Sequence, residues 1–406
     1  MSAFGLIGRK LSHSFSPFLH EKLGSAPYAL MELEPEMVPV FLRNTDWDGM
    51  NVTIPYKKTV LPLCAELSET ARRSGSVNTL LRCPGGWRGE NTDCDGFLAM
   101  LRLAGLDPKG KKVLIFGSGG VSGTVKLALE QSGADSVTVI SRTGPENYGN
   151  LSRHADAQLL VNCTPVGMYP ENGQAVVSLS DFPKCEAVAD LIYNPARTAL
   201  LLDAEARSIP HTGGLSMLAA QAIAASALFL GKKPDWDALP ELLRAVRLRT
   251  ENIVLIGMPG CGKTSVGQAL SLLTGRAFFD ADTEIEKNAG MRIPEIFRAE
   301  GEAGFRARET AVLAELGKRS GIILATGGGA VTREENIPLL RQNGTLLHLT
   351  RPTELLATDG RPVSQAVPLE ELARVRMPLY AKYADRTFSN TRSIEETAKA
   401  IAEALL

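Results

Sequence analysis

Short apolar runs, each closed by glycine or a small polar residue, recur along the chain, and helical periodicity follows several of them. Residues 4–8 (Phe-Gly-Leu-Ile-Gly) read as a strand ending in a turn. Residues 113–116 are wholly apolar and run into Gly117, Gly119, Gly120 and Gly123, after which a helix is expected through about residue 133. Residues 253–256 repeat the pattern, with Gly257, Gly260 and Gly262 leading to Lys263, Thr264 and Ser265 and a helix through about residue 274. Strand–glycine loop–helix units of this kind belong to parallel α/β sheets. The two lie too far apart along the chain to share one sheet comfortably, so the pattern predicts two α/β units.

Between them, residues 235–247 carry apolar side chains at 239, 242, 243 and 246, the spacing of one helical face. Residues 248–252 alone separate this helix from the next strand, so a short junction is expected. The last helix opens on Ser393 and Glu396, spaced as a capping box.

Charge and composition add exclusions. Lys and Arg total 44 against 45 Asp and Glu, a net charge of −1, and the balance is local: 24 against 25 over 1–248 and 20 against 20 over 249–406. Neither stretch has the basic excess of a nucleic-acid binder or the acidic block of a solvating tail. With 44% hydrophobic and 22% charged residues, disordered, collagen-like and coiled-coil chains are excluded. Cysteines at 64, 83, 94, 163, 185 and 261 form no C-x-x-C pair, which argues against a disulfide framework or a structural zinc site and suits a reducing compartment. The longest apolar stretch, 215–230, is broken by Ser216, Gln221 and Ser226 and is too short and polar to span a bilayer. The N-terminus lacks a signal-peptide design. A cytoplasmic protein with no membrane or nucleic-acid partner is expected; its oligomeric state is unknown from sequence.

The most specific chemistry lies at 257–264, G-x-x-x-x-G-K-T. Its glycines let backbone N–H groups wrap a polyphosphate, Lys263 reaches the β/γ-phosphates and the Thr264 hydroxyl ligates Mg²⁺. A strand before and a helix after argue against a plain tight turn. Asp280 and Asp282 end the next predicted strand, where two carboxylates at i and i+2 share a face. One can orient a hydrated Mg²⁺ while the other hydrogen-bonds an acceptor hydroxyl. Gly327, Gly328 and Gly329 close another apolar strand and let backbone amides approach a ligand.

The first glycine loop is a weaker signal by itself, because glycines also make ordinary turns. Its context is informative: a strand at 136–140 ends in Ser141, Arg142 and Thr143. A carboxylate there would bind the ribose hydroxyls of NAD, whereas an arginine accommodates the 2′-phosphate of NADP, so the sequence leans to NADP. Upstream, Ser14, Ser16, Asn51, Thr53, Lys57, Asn78 and Asp93 are polar residues embedded in apolar surroundings. Singly, each reads as a turn or a solvated group.

Two resemblances join these residues. GMPGCGKT, FFDAD, GEAGFRARE, ATGGGAV, GRPV and RMPLY occur over about 253–406 in the order and spacing of shikimate kinase, which this region resembles. The resemblance implies that Asp282 positions the shikimate hydroxyls and assists deprotonation, which leaves Asp280 as the carboxylate that holds Mg²⁺ through water. It further implies that Arg306 and Arg376 hold the substrate carboxylate beside Gly327 to Gly329, and that Arg361, on a lid, neutralises the transferring phosphoryl group. The lid segment, 355–362, is short and poor in basic residues for that family.

Residues 1–247 resemble shikimate dehydrogenase through GRKLSHSFSP, NVTIPYK, GSVNTL, ENTDCDG, GSGG and GLSMLAAQ. That resemblance implies Lys57 and Asp93 as the catalytic pair and Ser14, Ser16, Asn51, Thr53, Asn78 and Gln221 as substrate ligands. Cys94 stands where the family usually has glycine, which bears on the local turn. The implied fold is α/β throughout: an N-terminal α/β substrate domain (about 1–100 and 213–248), a Rossmann-like NADP domain (about 101–212), and a P-loop kinase domain with a parallel sheet (249–406). The implied activity is NADPH-dependent reduction of 3-dehydroshikimate to shikimate, followed by phosphorylation of shikimate with ATP and Mg²⁺. Two other readings stand beside it: a quinate-accepting dehydrogenase fused to another small-metabolite kinase, and a non-catalytic metabolite-sensing regulator. Loss of Lys57, Asp93, Lys263 or Asp282 would mark the regulator, and all four are present.

Overall fold

The first strand, β1 (Phe4–Gly8), is buried at all five positions and sits between two parallel neighbours, β2 (Tyr28–Glu32) and β3 (Gly49–Val52). The sheet continues antiparallel from β3, through β5 (Thr79–Cys83) to β6 (Gly86–Glu90), with the two-residue β4 (Glu66–Leu67) at its edge. Ile7, Met50, Val52, Tyr56, Leu80 and Trp87 form the core against it. The computed structural model describes residues 3–11, 14–356 and 368–405. Its contacts divide into two compact units, Met1–Val246 and Arg247–Leu406.

The second sheet of the first unit is parallel throughout, in the order β11 (His211–Gly213), β10 (Ala187–Asp190), β9 (Leu159–Asn162), β7 (Lys112–Phe116), β8 (Ser136–Ile140). Val113 and Ile115 enter one apolar cluster while Leu114 and Phe116 enter another. The alternation of β7 therefore feeds two buried faces, which is why the strand shows no polar position after Lys112. Strand order reverses between β7 and β9, the place where an open α/β sheet leaves a crevice at its carboxyl edge. The glycine loop after β7 and the 162–167 loop after β9 both emerge there.

The Ala-rich stretch at 215–230 is the helix Leu215–Phe229, packed on the helix Asp93–Leu103. Gly96 makes the close crossing possible: a Cβ there would lie 2.8 Å from the Met217 carbonyl oxygen and 3.0 Å from Gln221 Cβ. No helix among the described residues is long and apolar enough to cross a membrane.

The second unit holds a parallel five-stranded sheet in the order β13 (Phe278–Asp280), β14 (Ile323–Ala325), β12 (Asn252–Ile256), β15 (Gly344–Thr350), β16 (Arg386–Ser389). One continuous apolar cluster, from Ile253 to Ala402, covers it. The capping box at Ser393 and Glu396 forms with both reciprocal bonds at 3.1 Å.

Two expectations need correction. Residues 248–252 are not a junction: a 3-10 turn, Trp236–Ala238, leads into a helix, Leu239–Thr250, and only Glu251 separates it from β12. Arg276 donates to the carbonyls of Leu248 and Glu251, partners for acceptors that a helix end leaves unpaired. Asp280 and Asp282 also do not share a strand face. Asp280 ends β13 and caps the next helix, Ala281–Ala289, its Oδ1 accepting the amides of Asp282 (3.0 Å) and Thr283 (3.4 Å). The cap converts the chain to helix there, so Asp282 lies in its first turn.

Candidate active sites

In the first unit, Lys57 and Asp93 meet as an ion pair, Nζ to Oδ2 at 2.6 Å, with side chains 14% and 5% exposed. Asp93 opens the helix Asp93–Leu103, where the amide dipoles favour a negative charge. Its other oxygen, Oδ1, accepts from Asn78 Nδ2 at 3.0 Å. Asn51 projects from β3 and donates to the Asn78 carbonyl and to Thr79 Oγ1. Ser14 Oγ accepts the Ser16 amide, and the Tyr28 hydroxyl donates to Asn51 Oδ1. Gln221 stands one helical turn past Asp93, brought there by the crossing at Gly96.

Thr53 is the outlier among the expected substrate ligands. Its methyl packs on Gly8, and its amide donates to the Ile7 carbonyl, outside this bonded cluster. Cys94 sits as an ordinary buried residue in the first turn of the helix, its thiol pushed up to about 11 by burial and the nearby Asp95 and Asp93. No special turn is needed where the family usually has glycine.

The cofactor loop lies against this pair. A Cβ on Gly120 would sit 3.4 Å from Lys57 Cβ, and Gly119 faces open space. Gly117 has φ 104° and meets the 162–167 loop, with Thr164 Cγ2 at 2.9 Å from a Cβ built there. Only glycine fits that conformation and that contact. Such a cradle suits a dinucleotide pyrophosphate. At the end of β8, Arg142 and Thr143 are exposed, while Ser141 Oγ accepts the Gly144 amide and shapes the loop.

In the second unit, Gly257, Gly260 and Gly262 all have positive φ, at 146°, 84° and 96°. Lys263 Nζ donates back to the carbonyls of Gly257 (2.8 Å) and Met258 (3.0 Å), and the residue is buried. Thr264 Oγ1 donates to Asp280 Oδ2 at 2.7 Å, so the two residues expected at Mg²⁺ are together. A hydroxyl beside a carboxylate is an oxygen-donor set of the kind Mg²⁺ takes, with water completing it. Ser265 follows, exposed, on the same helix.

The three glycines after β14 are each shaped by a different neighbour. A Cβ on Gly327 would lie 2.7 Å from Glu309 Oε1 and 3.0 Å from Asp282 Oδ1. On Gly328 it would meet the Pro259 ring, and on Gly329 the Arg306 guanidinium, each closer than 3 Å. Arg306 is buried, paired to Glu309 at 2.7 Å and to Glu302 at 3.4 Å, and Arg376 is buried too. Burial, then the charges of Asp280 and Glu309, push the Asp282 carboxyl up to about 6, against the opposing pull of Lys263 and Arg306. Arg361 lies outside the described residues, as does most of the expected lid.

Several participants escape sequence reasoning. Asn390 clamps the phosphate loop by donating to the Cys261 carbonyl, 129 residues away. Tyr380 donates to the Gly328 carbonyl, and Asp190 accepts from Asn162 and Thr198, holding the 162–167 loop. Glu309, four residues past Phe305 in the GEAGFRARE motif, could have been found from its i+3 spacing to Arg306.

Each unit is thus an α/β phosphate-binding fold with a polar cluster set before its glycine loop. Comparison with known proteins makes this specific. Residues 6–80 match the shikimate dehydrogenase substrate binding domain and residues 259–406 match shikimate kinase. The chain is 34% identical over 274 residues to a shikimate dehydrogenase (NADP(+)) of Syntrophomonas wolfei, covering 59% of this chain and 93% of that protein. It is 35% identical over 269 residues to the Methanopyrus kandleri enzyme of the same name, covering 58% and 93%. A crystal structure of Thermus thermophilus shikimate 5-dehydrogenase in complex with NADP(H) and shikimate superposes with TM-score 0.55 at 33% identity, over 60% of this chain and 99% of that one. The chain belongs to the shikimate dehydrogenase family over its first unit and carries a shikimate kinase domain in its second. It is a bifunctional enzyme of the shikimate pathway.

Proposed function

We propose that the first unit reduces 3-dehydroshikimate to shikimate with NADPH, and that the second phosphorylates shikimate on its 3-hydroxyl with Mg-ATP. The observation that carries the first half is the Lys57–Asp93 ion pair lying directly against Gly120 of the cofactor loop. NADPH, when bound, would supply the hydride that the carbonyl carbon takes. As the carbonyl oxygen gains charge it needs a proton, which the Lys57 ammonium gives from Nζ. Asp93, fixed by Asn78, holds that ammonium in orientation until transfer. Ser14, Ser16, Asn51, Asn78 and Gln221 would supply donors and acceptors for the ring hydroxyls and carboxylate, with Thr53 the expected ligand that stands outside their bonded cluster. Gly117, Gly119, Gly120, Ser141, Arg142 and Thr143 would hold NADPH, with Arg142 on the 2′-phosphate.

For the second half, bound Mg-ATP supplies the γ-phosphoryl group. Asp282, raised to about 6, is poised to take the proton of the attacking hydroxyl. Arg306 and Arg376 are buried forks suited to a carboxylate, and Lys263 offsets charge on the phosphates. Thr264 and Asp280 would hold Mg²⁺, Asp280 through water. Arg361 would complete the charge neutralisation. An assay supplying 3-dehydroshikimate, NADPH and Mg-ATP to the intact chain tests both halves, with the product identified by mass. Shikimate 3-phosphate is expected. Equal or faster turnover of the quinate-series ketone would replace the first half, and absence of any phosphorylated product would overturn the second.

A further inference from the structure

We propose that Tyr28 and Thr79 are positioning residues for the reduction, members of a directional hydrogen-bond chain that crosses the first sheet and fixes the Lys57–Asp93 pair. The proposal rests on that pair being the acid–base pair. The chain starts on β2, where the Tyr28 hydroxyl reaches past β1 and donates to Asn51 Oδ1 on β3 at 2.8 Å. With Oδ1 engaged, Asn51 turns Nδ2 to Thr79 Oγ1 (3.0 Å) and to the Asn78 carbonyl (3.3 Å). Thr79, its cross-strand partner on β5, has accepted one bond and donates at its shorter contact to Asn78 Oδ1 (3.1 Å), with Thr92 Oγ1 beside it at 3.4 Å.

That oxygen also accepts the Thr92 amide at 2.8 Å, so both Asn78 N–H groups face away from it. They go to Thr92 Oγ1 (2.9 Å) and Asp93 Oδ1 (3.0 Å), which leaves Asp93 Oδ2 for the Lys57 ammonium at 2.6 Å. The row is directional because an amide oxygen only accepts and its nitrogen only donates, and at Asn78 the Thr79 hydroxyl and the Thr92 amide together hold Oδ1. Reversing one amide would set donor against donor or acceptor against acceptor along the row.

Thr79 is fully buried and Asn51, Asn78 and Asp93 are nearly so, so water cannot replace a lost member. Tyr28 is held at the outer end by stacking on His20, with ring centroids 4.1 Å apart and planes 8° from parallel. His20 is held in turn by Ser25 Oγ, 2.7 Å from Nδ1. Burial raises the Tyr28 hydroxyl well above its ordinary value, which keeps it a donor. Neither Tyr28 nor Thr79 needs to touch the reacting atoms. Their contribution is the orientation of the carboxylate that orients the ammonium.

The test compares Thr79→Val, Thr79→Ser, Tyr28→Phe and Lys57→Ala in the intact chain, measuring reduction of 3-dehydroshikimate by NADPH. Kinase turnover in the same samples serves as the internal reference. Thr79→Val and Tyr28→Phe are expected to lower kcat on the order of 10-fold, a positioning effect, with KM for NADPH and kinase turnover unchanged. Thr79→Ser, which keeps the hydroxyl, should restore most of kcat. Equal loss in the Val and Ser variants would mean packing rather than hydrogen bonding, and wild-type kcat in Thr79→Val would overturn the proposal outright. Where Thr79→Val does not fold, Tyr28→Phe at its half-buried position reports on the same row, and an unchanged kcat there is equally fatal. Retained turnover in Lys57→Ala would instead overturn the acid–base reading on which the proposal rests.

Discussion

Replacing Asp282 by asparagine should abolish phosphorylation and yet stabilise the kinase unit at neutral pH. The carboxyl moves from 3.8 to about 6 because burial and the neighbouring Asp280 and Glu309 charges disfavour its ionised form. At about 1.4 kcal/mol per tenfold change, that difference corresponds to about 3 kcal/mol in favour of the neutral group. A raised carboxyl contributes stability that is complete below 3.8 and lost as pH rises through about 6. At pH 8 the native enzyme therefore carries the full cost of an ionised Asp282, and asparagine, neutral at every pH, removes it. For a unit of this size the gain corresponds to a rise of roughly 5–10 °C in Tm. Scanning calorimetry of the intact chain would read it in the transition that Mg-ATP shifts upward. The gain should shrink as pH falls from 6 and vanish near 3.8, where aspartic acid and asparagine are electrically alike. A lower Tm for the variant at pH 8, or a gain of the same size at pH 8 and pH 4, would refute the argument.

Other consequences follow from the same geometry. The kinase kcat/KM for shikimate should fall on the acid side with an apparent pKa of about 6, because the base must be ionised; a profile flat between pH 5 and 7 would remove Asp282 from that role. Lys57→Ala should abolish reduction while leaving phosphorylation intact, as separate assays on one preparation would show. Arg142→Asp should raise KM for NADPH and narrow the preference over NADH; wild-type enzyme using both cofactors equally would remove Arg142 from 2′-phosphate recognition.

What could be read from the sequence was largely what the backbone demands. The phosphate loop needs positive φ at Gly257, Gly260 and Gly262, and β7 needs apolar residues on both faces, so both leave a mark in consecutive letters. The sequence puts Asp282 on a strand face because the preceding residues are strand-like. The signal to the contrary was local: Asp280 is a strong helix-capping residue, and the run after it is rich in helix formers. Tyr28, Thr79 and Asn390 leave no comparable mark. Each acts through partners distant in sequence, 23 residues for Tyr28 and Asn51 and 28 for Asn51 and Thr79. Only the pairing of β2, β1, β3 and β5 brings those polar groups into one row.

The end of the helix Leu239–Thr250 sets how the kinase unit can be separated. A cut between Leu248 and Glu251 passes through the last helical turn rather than through a linker. Arg276, a half-buried guanidinium, donates to the Leu248 and Glu251 carbonyls: the cut removes the first, and a fragment beginning at 252 also lacks the second, along with the Glu251 side chain that pairs with Thr345. Bonds to a charged donor contribute about 1.5–3 kcal/mol each. A fragment 252–406 keeps the whole apolar cluster and should fold, but with Arg276 unpaired. A fragment 239–406 keeps the acceptors and should melt roughly 5–15 °C higher. It would also expose Leu239, Leu242 and Val246, which are buried in a core cluster of the first unit, and so should associate at high concentration. Thermal melts and light scattering on the two fragments read these effects separately. Equal melting temperatures would show that the Arg276 bonds contribute nothing to the fold, and a boundary at residue 252 would then serve as well as one at 239.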